Sequence, residues 1–211
     1  MKFLLAKKVN MTQVFDENGR VSAVTMLSAT PATVTQVKSV DKDGYTAIQV
    51  GTGSRRAKNI SKSVLGQLKD LGLPEKTGFE YLREYRGEIP GEIKRGDKVS
   101  LEIFSVGDKV QVSSISKGKG FQGVVKRHGF HGGPRSHGQK HSEREPGSIG
   151  GGGRDGGRVA KGMRMAGRIG GDRITIKGLK IVAVDPGNNT ILVSGAVPGR
   201  KGTLVELRSM N

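Results

Sequence analysis

The sequence predicts a mainly β protein with some α structure, organised as a β-barrel with a small helical insertion and a long basic, glycine-rich loop extension. Short runs rich in Val, Ile and Thr, separated by turn signals, occur before residue 117 and after residue 170. Half of the chain's 34 glycines lie between those two positions. One stretch with helical spacing lies in the first part of the chain. Many short strands at close spacing favour a small barrel.

The strand predictions begin at the first residues. The apolar stretch 3–6 is closed by Lys7 and Lys8. It is too short for the apolar region of a signal peptide, which needs about 7–15 residues. We therefore expect a first strand there. Further strands are expected at 21–27, 32–40, 45–50, 110–115, 173–185, 190–194 and 203–207.

A single helix is expected inside an insertion near 55–95. Ser61 or Ser63 can cap its beginning, and Gly72 and Pro74 are stop signals. Its apolar residues recur at helical spacing and are expected to pack on the barrel: Val64, Leu65, Leu68 and Leu71. The chain is therefore divided into 1–116, the first part of the barrel with its insertion, then the extension 117–170, and 171–211, which completes the barrel.

The charge of the chain points to a polyanionic partner. Lys and Arg number 36 against 19 Asp and Glu, which gives a formal charge of +17 and a pI near 10.3. RNA, DNA and an anionic membrane surface are the candidates. The membrane is the weakest, because no run of about 18 apolar residues occurs. The absence of cysteine excludes disulfides and thiolate metal sites, and it fits a cytosolic chain.

The extension 117–170 holds twelve Lys or Arg and three Asp or Glu, so it supplies +9 of the +17. Large aliphatic residues are few in this segment, so little apolar surface can be buried to offset its ordering entropy. Alone in water it is expected to be extended and mobile, and to fold on a partner. Because it lies inside the chain and returns to a strand pattern, it differs from an ordinary solvated basic tail.

Motifs that suggest other functions fail in context. The run 118–123 matches the Gly-x-Gly-x-x-Gly dinucleotide pattern, with Glu143 twenty residues further on. That motif must open a sustained helix, which the later glycines and Pro134 are expected to prevent. Four histidines lie in the extension, yet its glycines offer no rigid scaffold for a metal. No nucleophile-elbow or kinase signature is present, so no enzyme, cofactor, metal site or small-molecule substrate is expected.

The composition of the extension instead suits RNA. Arg can fork onto phosphate or stack on bases, and glycine lets the backbone approach closely. Aromatic and His rings can stack on unpaired bases. A reader of duplex DNA would more often carry a recognition helix. The residues expected to contact RNA are Lys117, Lys119, Phe121, Lys126, Arg127, His128, Phe130, Arg135, His137, Lys140, Arg144, Arg154, Arg158, Lys161, Arg164 and Arg168.

Several ordered blocks resemble a known family. The opening 7–15 reads Lys-Lys-Val-Asn-Met-Thr-Gln-Val-Phe, and 116–130 reads Ser-Lys-Gly-Lys-Gly-Phe-Gln-Gly-Val-Val-Lys-Arg-His-Gly-Phe. The blocks Pro-Gly-Ser-Ile-Gly at 146–150, Lys-Gly-Met-Arg-Met-Ala-Gly at 161–167 and Gly-Ala-Val-Pro-Gly at 195–199 follow in order. Along essentially its whole length, the chain resembles the universal large-subunit ribosomal protein three in its bacterial form.

The resemblance implies a translation-protein-type β-barrel on the outside of the large subunit. It implies an extension that runs through ribosomal RNA of the 23S type toward the peptidyl transferase centre, with a role in early assembly and no chemistry. Proteins fourteen and nineteen of the same subunit would be neighbours, and the chain would be cytoplasmic and ribosome-bound. The alternative that the residues leave open is a general nucleic-acid-binding or chromosome-compacting basic protein.

Two positions depart from the family pattern. Many bacterial members carry a methylated glutamine after the Pro-Gly-Ser-Ile-Gly block, whereas Gly151 stands here, so no such modification is expected. Asn10 stands where glycine is common, and Asn tolerates the left-handed conformation that a turn there would need.

Overall fold

The computed structural model describes residues 2–87 and 93–210, apart from the side chains of Arg154 and Asp155. The chain forms two compact units. One comprises Met1–Ile115 and Ile174–Asn211, and the other comprises Ser116–Arg173, which we call the basic unit. The predicted extension 117–170 lies inside the basic unit.

Strands account for most of the regular structure. Within the described residues they are β1 (Phe3–Phe15), β2 (Val21–Ser28), β3 (Ala32–Lys38), β4 (Ala47–Thr52), β5 (Arg55–Arg56), β6 (Thr77–Gly78), β7 (Tyr81–Arg86), β8 (Lys98–Val99), β9 (Lys109–Ile115), β10 (Phe121–Gln122), β11 (Gly167–Arg168), β12 (Arg173–Asp185), β13 (Thr190–Ser194) and β14 (Leu204–Ser209). The helices are α1 (Val40–Asp43), α2 (Lys62–Gln67) and α3 (Val124–His128), with 3₁₀ turns at Ala57–Asn59, Leu101–Ile103 and Gly152–Asp155. The predicted mainly β class is confirmed.

Six strands close a barrel in the order β1-β14-β9-β12-β13-β2 within the described part of the chain. Alternate residues of a strand face opposite sides of a sheet, and the buried positions follow this period. In β14, Val205 and Leu207 are buried, as are Ile191 and Val193 in β13. The predicted β-barrel is therefore confirmed. Its interior is filled by branched aliphatic side chains, as in other small barrels.

The strands predicted at 32–40 and 45–50 exist, but they do not belong to the barrel. They form β3 and β4 of a separate antiparallel sheet with the order β7-β4-β3-β8. Their buried residues Val34, Ile48 and Val50 join the same hydrophobic core as the barrel residues. Strand spacing alone could not separate the two sheets, because both bury Val and Ile at the same period.

The position of Asn10 differs from the expectation of a turn. Asn10 lies inside β1 opposite Met26, next to a shift of register between Lys8 and Asn10. It is not one of the described non-glycine residues with positive φ. An irregularity in the strand pairing, with no left-handed residue at Asn10, therefore occupies this place.

The predicted helix is confirmed as α2, although it is shorter than expected. Ser61 caps it, since its hydroxyl accepts a hydrogen bond from Val64 N at 3.5 Å. Arg95 donates to Gln67 O, in the last residue of the helix, and to Lys69 O just beyond it, at 2.7 Å each, which stabilises the C-terminal end. The helix ends at Gln67 because the backbone turns left-handed at Asp70, with φ of 69°. Residues 88–92 of the predicted insertion 55–95 lie outside the described residues.

Candidate nucleic-acid interface

The segments at the two chain ends of the basic unit pair with each other in a ladder of backbone hydrogen bonds. Ser116 N donates to Asp172 O at 2.9 Å, and Lys119 N donates to Ile169 O at 2.9 Å. Ile169 N donates to Gly120 O at 3.0 Å, and β10 then pairs with β11 in antiparallel register. The composition of the extension predicted an extended arm and gave no indication of this ladder. It fixes the relative position of two segments about fifty residues apart.

The ladder requires glycine at position 170. A Cβ on Gly170 would lie 2.2 Å from Lys117 O, and the residue has φ of +77°. Both the left-handed backbone and the closeness of the facing carbonyl exclude an unstrained side chain. The glycine here serves the internal pairing of the unit.

A short helix, α3, follows the Gly-x-Gly-x-x-Gly run directly. It begins after Gly123 and ends before Gly129, which has the left-handed conformation. The helix is five residues long, so it is not the sustained helix that a dinucleotide motif must open. Val124 is its buried residue. The strand before it, β10, pairs antiparallel with β11, whereas a dinucleotide fold needs a parallel βαβ unit. This context differs from a dinucleotide site.

Two residues of α3 that were predicted to contact RNA also hold the returning chain. Arg127 Nη1 donates to Met165 O at 2.8 Å, and His128 Nε2 lies 3.0 Å from the same oxygen. Since a carbonyl oxygen only accepts, Nε2 of His128 carries the hydrogen. A Cβ on Gly167 would lie 2.7 Å from Arg127 Nη1, so glycine makes room for this guanidinium. Arg127 and His128 therefore have a role inside the unit, whatever they contact outside it.

The predicted aromatic contacts have different environments. Phe121 is 75% exposed and lies opposite Arg168 in the β10–β11 pair. Phe130 is half-buried, with its ring centroid 5.8 Å from that of His128 and 5.9 Å from the guanidinium carbon of Arg164. Phe121 thus presents an open face, whereas Phe130 belongs to a small cluster of planar side chains.

Most of the predicted residues are exposed. His128 and Phe130 are half-buried, and the side chain of Arg154 lies outside the described residues. His137 has the left-handed backbone, with φ of 61°. The exposed ones are Lys117, Lys119, Phe121, Lys126, Arg127, Arg135, His137, Lys140, Arg144, Arg158, Lys161, Arg164 and Arg168.

The cations of the basic unit are largely uncompensated. Among the described side chains of 117–170, Arg135 is the one cation in an ion pair, with its Nε 3.8 Å from Glu143 Oε2. That arginine is 88% exposed, so the pair contributes little to stability. Within 117–170, positive charge is therefore held on an exposed surface that has few ion pairs, which is the electrostatic arrangement of a polyanion-binding surface.

Two other features do not occur among the described residues. No group of three or more His, Asp or Glu side chains there is arranged to hold a metal ion. Among the same residues no helix has the length and apolarity needed to span a bilayer.

Sequence reasoning missed a group of polar residues in the loop between the predicted cations. Gln139, Ser142 and Glu145 line one pocket of the basic unit together with Phe130 and Arg164. They could not be predicted, because neither charge excess nor motif marks a neutral or acidic side chain in a basic segment.

Comparisons with known proteins agree with the family resemblance. The family model described as Ribosomal protein L3 matches residues 93–190. The large ribosomal subunit protein uL3 of Acidothermus cellulolyticus is 47% identical over 209 residues, which cover 99% of this chain and 92% of the relative. The uL3 protein of Chlorobium limicola is 44% identical over 210 residues, covering 100% and 99% of the two chains. That of Herpetosiphon aurantiacus is 46% identical, with 96% and 93% covered. The chain therefore belongs to the uL3 family of large ribosomal subunit proteins, a family of structural ribosomal components.

Proposed function

We propose that the chain binds large-subunit ribosomal RNA of the 23S type through its basic unit, supports early assembly of the subunit and holds RNA near the peptidyl transferase centre. Its role is structural, and the chemistry of translation belongs to other components. Family membership supports its place in the large subunit. The finer roles rest on the resemblance together with the charge and exposure of the basic unit.

The observation that carries the proposal is the set of exposed cations of 117–170, of which Arg135 is the one described in an ion pair. A surface that collects positive charge without ion pairs is unfavourable for an isolated chain, because the charges repel each other. The same surface gains free energy on binding RNA, because its Lys and Arg side chains neutralise phosphates and release the counterions condensed on them. Lys117, Lys119 and Lys126 lie on or beside the ladder and α3, so the charge is carried by defined backbone.

Exposed Phe121 supports RNA as the polyanion. Its ring is 75% exposed, and Arg168 is its partner in the β10–β11 register. Unstacked bases of RNA bind to the faces of such rings, whereas a polyanion without bases would gain nothing from the ring. Substitution of Phe121 by Leu is expected to weaken RNA binding while leaving the dependence on salt unchanged.

The salt dependence of binding tests the electrostatic part. We expect the double variant Lys117→Gln, Lys119→Gln to reduce the slope of log K against log salt by about 1.4–1.8, since each phosphate contact contributes roughly 0.7–0.9. Filter binding of the full chain to large-subunit RNA at several salt concentrations gives the slope. The matched control is Lys42→Gln with Lys201→Gln, two exposed lysines of the other unit. An equal reduction of the salt-dependence slope in both double variants would contradict a dominant role for the basic unit.

The cellular assignment is tested by sedimentation. Tagged chain from a lysate is expected to remain with large subunits after a high-salt wash, and deletion of 117–170 to release it. Cross-linking within purified subunits then tests the proposed neighbours, proteins fourteen and nineteen, and the proposed closeness to the peptidyl transferase centre. The alternative of a general nucleic-acid-binding protein predicts instead that duplex DNA competes as well as structured RNA. A cytoplasmic, ribosome-bound protein without modification at Gly151 remains the expectation.

A further inference from the structure

The basic unit contains a pocket of about 550 Å³ beside the end of α3. Its apolar wall is Phe130, which has the ring of His128 on one side and the guanidinium of Arg164 near its face. A volume of this size accommodates one planar ligand of nucleotide size. Planar rings and a guanidinium are the groups on which unstacked bases of RNA bind.

Gly132, Gly133 and Ser142 also line the pocket, and their backbone is fixed by close approach. Gly133 N donates to Glu143 O at 2.9 Å. A Cβ on Gly132 would lie 2.0 Å from that same oxygen, and one on Gly133 would lie 2.9 Å from Ser142 O. The two passes of the loop therefore meet without intervening side chains. This closure gives the pocket a defined wall before any ligand binds.

The polar groups of the pocket include a carboxylate, which is unexpected on an RNA-binding surface. Glu145 lines the pocket and has no ion-pair partner among the described residues, whereas Glu143 lies near Arg135. A carboxylate only accepts hydrogen bonds and repels phosphate. Its presence next to RNA is favourable where it faces hydrogen-bond donors, and an unstacked base against Phe130 would offer such donors on its edge. Gln139 adds an amide that both donates and accepts.

We propose that this pocket binds one unstacked guanine of the large-subunit RNA, with its ring against Phe130 and its Watson–Crick edge toward Glu145. Guanine presents two adjacent donors on that edge, N1–H and the N2 amino group, which match the two oxygens of a carboxylate. Adenine and cytosine each present a single donor group there. The inference rests on the proposed function and adds to it the class of base and the residues that select it.

Chemical probing of guanine in assembled subunits tests the inference. Kethoxal reacts with N1 and N2 of guanine, which are the atoms that Glu145 would cover. Large subunits carrying Glu145→Gln are expected to show one guanine whose reactivity rises about tenfold, the effect of losing one charge-assisted interaction. Phe130→Ala should raise the kethoxal reactivity of the same guanine. The control Glu102→Gln, which changes an exposed glutamate of the other unit, should leave that reactivity unchanged.

The outcomes separate this inference from the proposed function. If the wild-type chain sediments without large subunits, the proposed function fails. If the chain is present and no guanine responds to Glu145→Gln, the guanine pocket is overturned. If a variant fails to enter subunits, guanosine monophosphate is titrated into the free wild-type chain. The inference is supported if guanosine monophosphate shifts the Phe130 ring resonances more than cytidine monophosphate does. An equal shift, or no shift, overturns it.

Discussion

Substitution of two adjacent glycines distinguishes backbone strain from steric contact in the ladder of the basic unit. Gly170 and Gly171 have φ values of +77° and +75°, so alanine at either position carries the same left-handed penalty of about 1–2 kcal/mol. The contacts differ. A Cβ on Gly170 would lie 2.2 Å from Lys117 O, whereas the nearest atom to a Cβ on Gly171 is the end of the Arg168 side chain at 3.7 Å. Gly171→Ala is therefore the matched control for Gly170→Ala.

The magnitude follows from the two hydrogen bonds beside Gly170. Real Cβ contacts are essentially never under 3.0 Å, so the facing segments must separate by roughly 1 Å in Gly170→Ala. That movement breaks the bonds from Lys119 N to Ile169 O at 2.9 Å and from Ile169 N to Gly120 O at 3.0 Å. At about 1 kcal/mol net for each bond, Gly170→Ala loses about 2 kcal/mol more than Gly171→Ala.

Hydrogen exchange of the Lys119 and Ile169 amides in the free chain measures this difference. We expect protection to fall about five- to thirtyfold in Gly171→Ala, and about thirtyfold further in Gly170→Ala. Equal loss in the two variants would show that the close approach of Gly170 to Lys117 is absent in solution. An unprotected ladder in the wild-type chain would show instead that the basic unit pairs its ends only when RNA is bound.

Two further predictions concern single contacts. Hydrogen bonds from Lys38 at 2.6 Å and from the Tyr45 hydroxyl at 3.0 Å lower the pKa of Glu84 below its usual 4.5. The stabilising effect of Glu84 is therefore present above pH 4.5 and is lost as the pH falls through the lower pKa of the folded state. Urea unfolding should therefore show that the wild-type chain loses more stability between about pH 5 and about pH 3 than Glu84→Gln does, and parallel losses would contradict the assignment. Arg127→Met removes the donor to Met165 O and should increase exchange of nearby amides in the free chain by about tenfold, a loss of roughly 1.4 kcal/mol, while the exposed neighbour variant Lys126→Met should not.

Periodicity was sufficient to predict elements but not their partners. The apolar alternation around Ile191 and Val205 predicted β13 and β14, because one face of each strand is buried. The same signal at Val34 could not assign β3 to the second sheet, since pairing depends on residues far along the chain. The end of α2 was misplaced because Asp70 adopts a conformation that glycine usually marks.

The candidate site was predictable in its charge and not in its internal geometry. Excess Lys and Arg identified the basic unit, since charge is a property of composition. The contact from Arg127 to Met165 O joins residues 38 positions apart, and no local pattern reports it. Nor does composition reveal that Glu145 and Phe130 line one pocket. Sequence therefore located the surface, while the structure separated residues that hold the unit together from residues that face outward.

The glycines of the basic unit can also be divided into those that the internal structure requires and those that it does not. Gly118 has neither positive φ nor any atom within 4 Å of an added Cβ, so nothing inside the protein requires glycine there. Alanine at such a position should stabilise the free chain by about 0.4–1 kcal/mol through the lower entropy of its unfolded state. Glycine is then favourable only if something outside the chain approaches the backbone, and under the proposed function that partner is RNA. We expect Gly118→Ala to raise the free energy of unfolding and to weaken RNA binding. Gly66→Ala, at an equally open position in α2, should raise stability alone. Unchanged RNA affinity in Gly118→Ala would refute close backbone contact at this point.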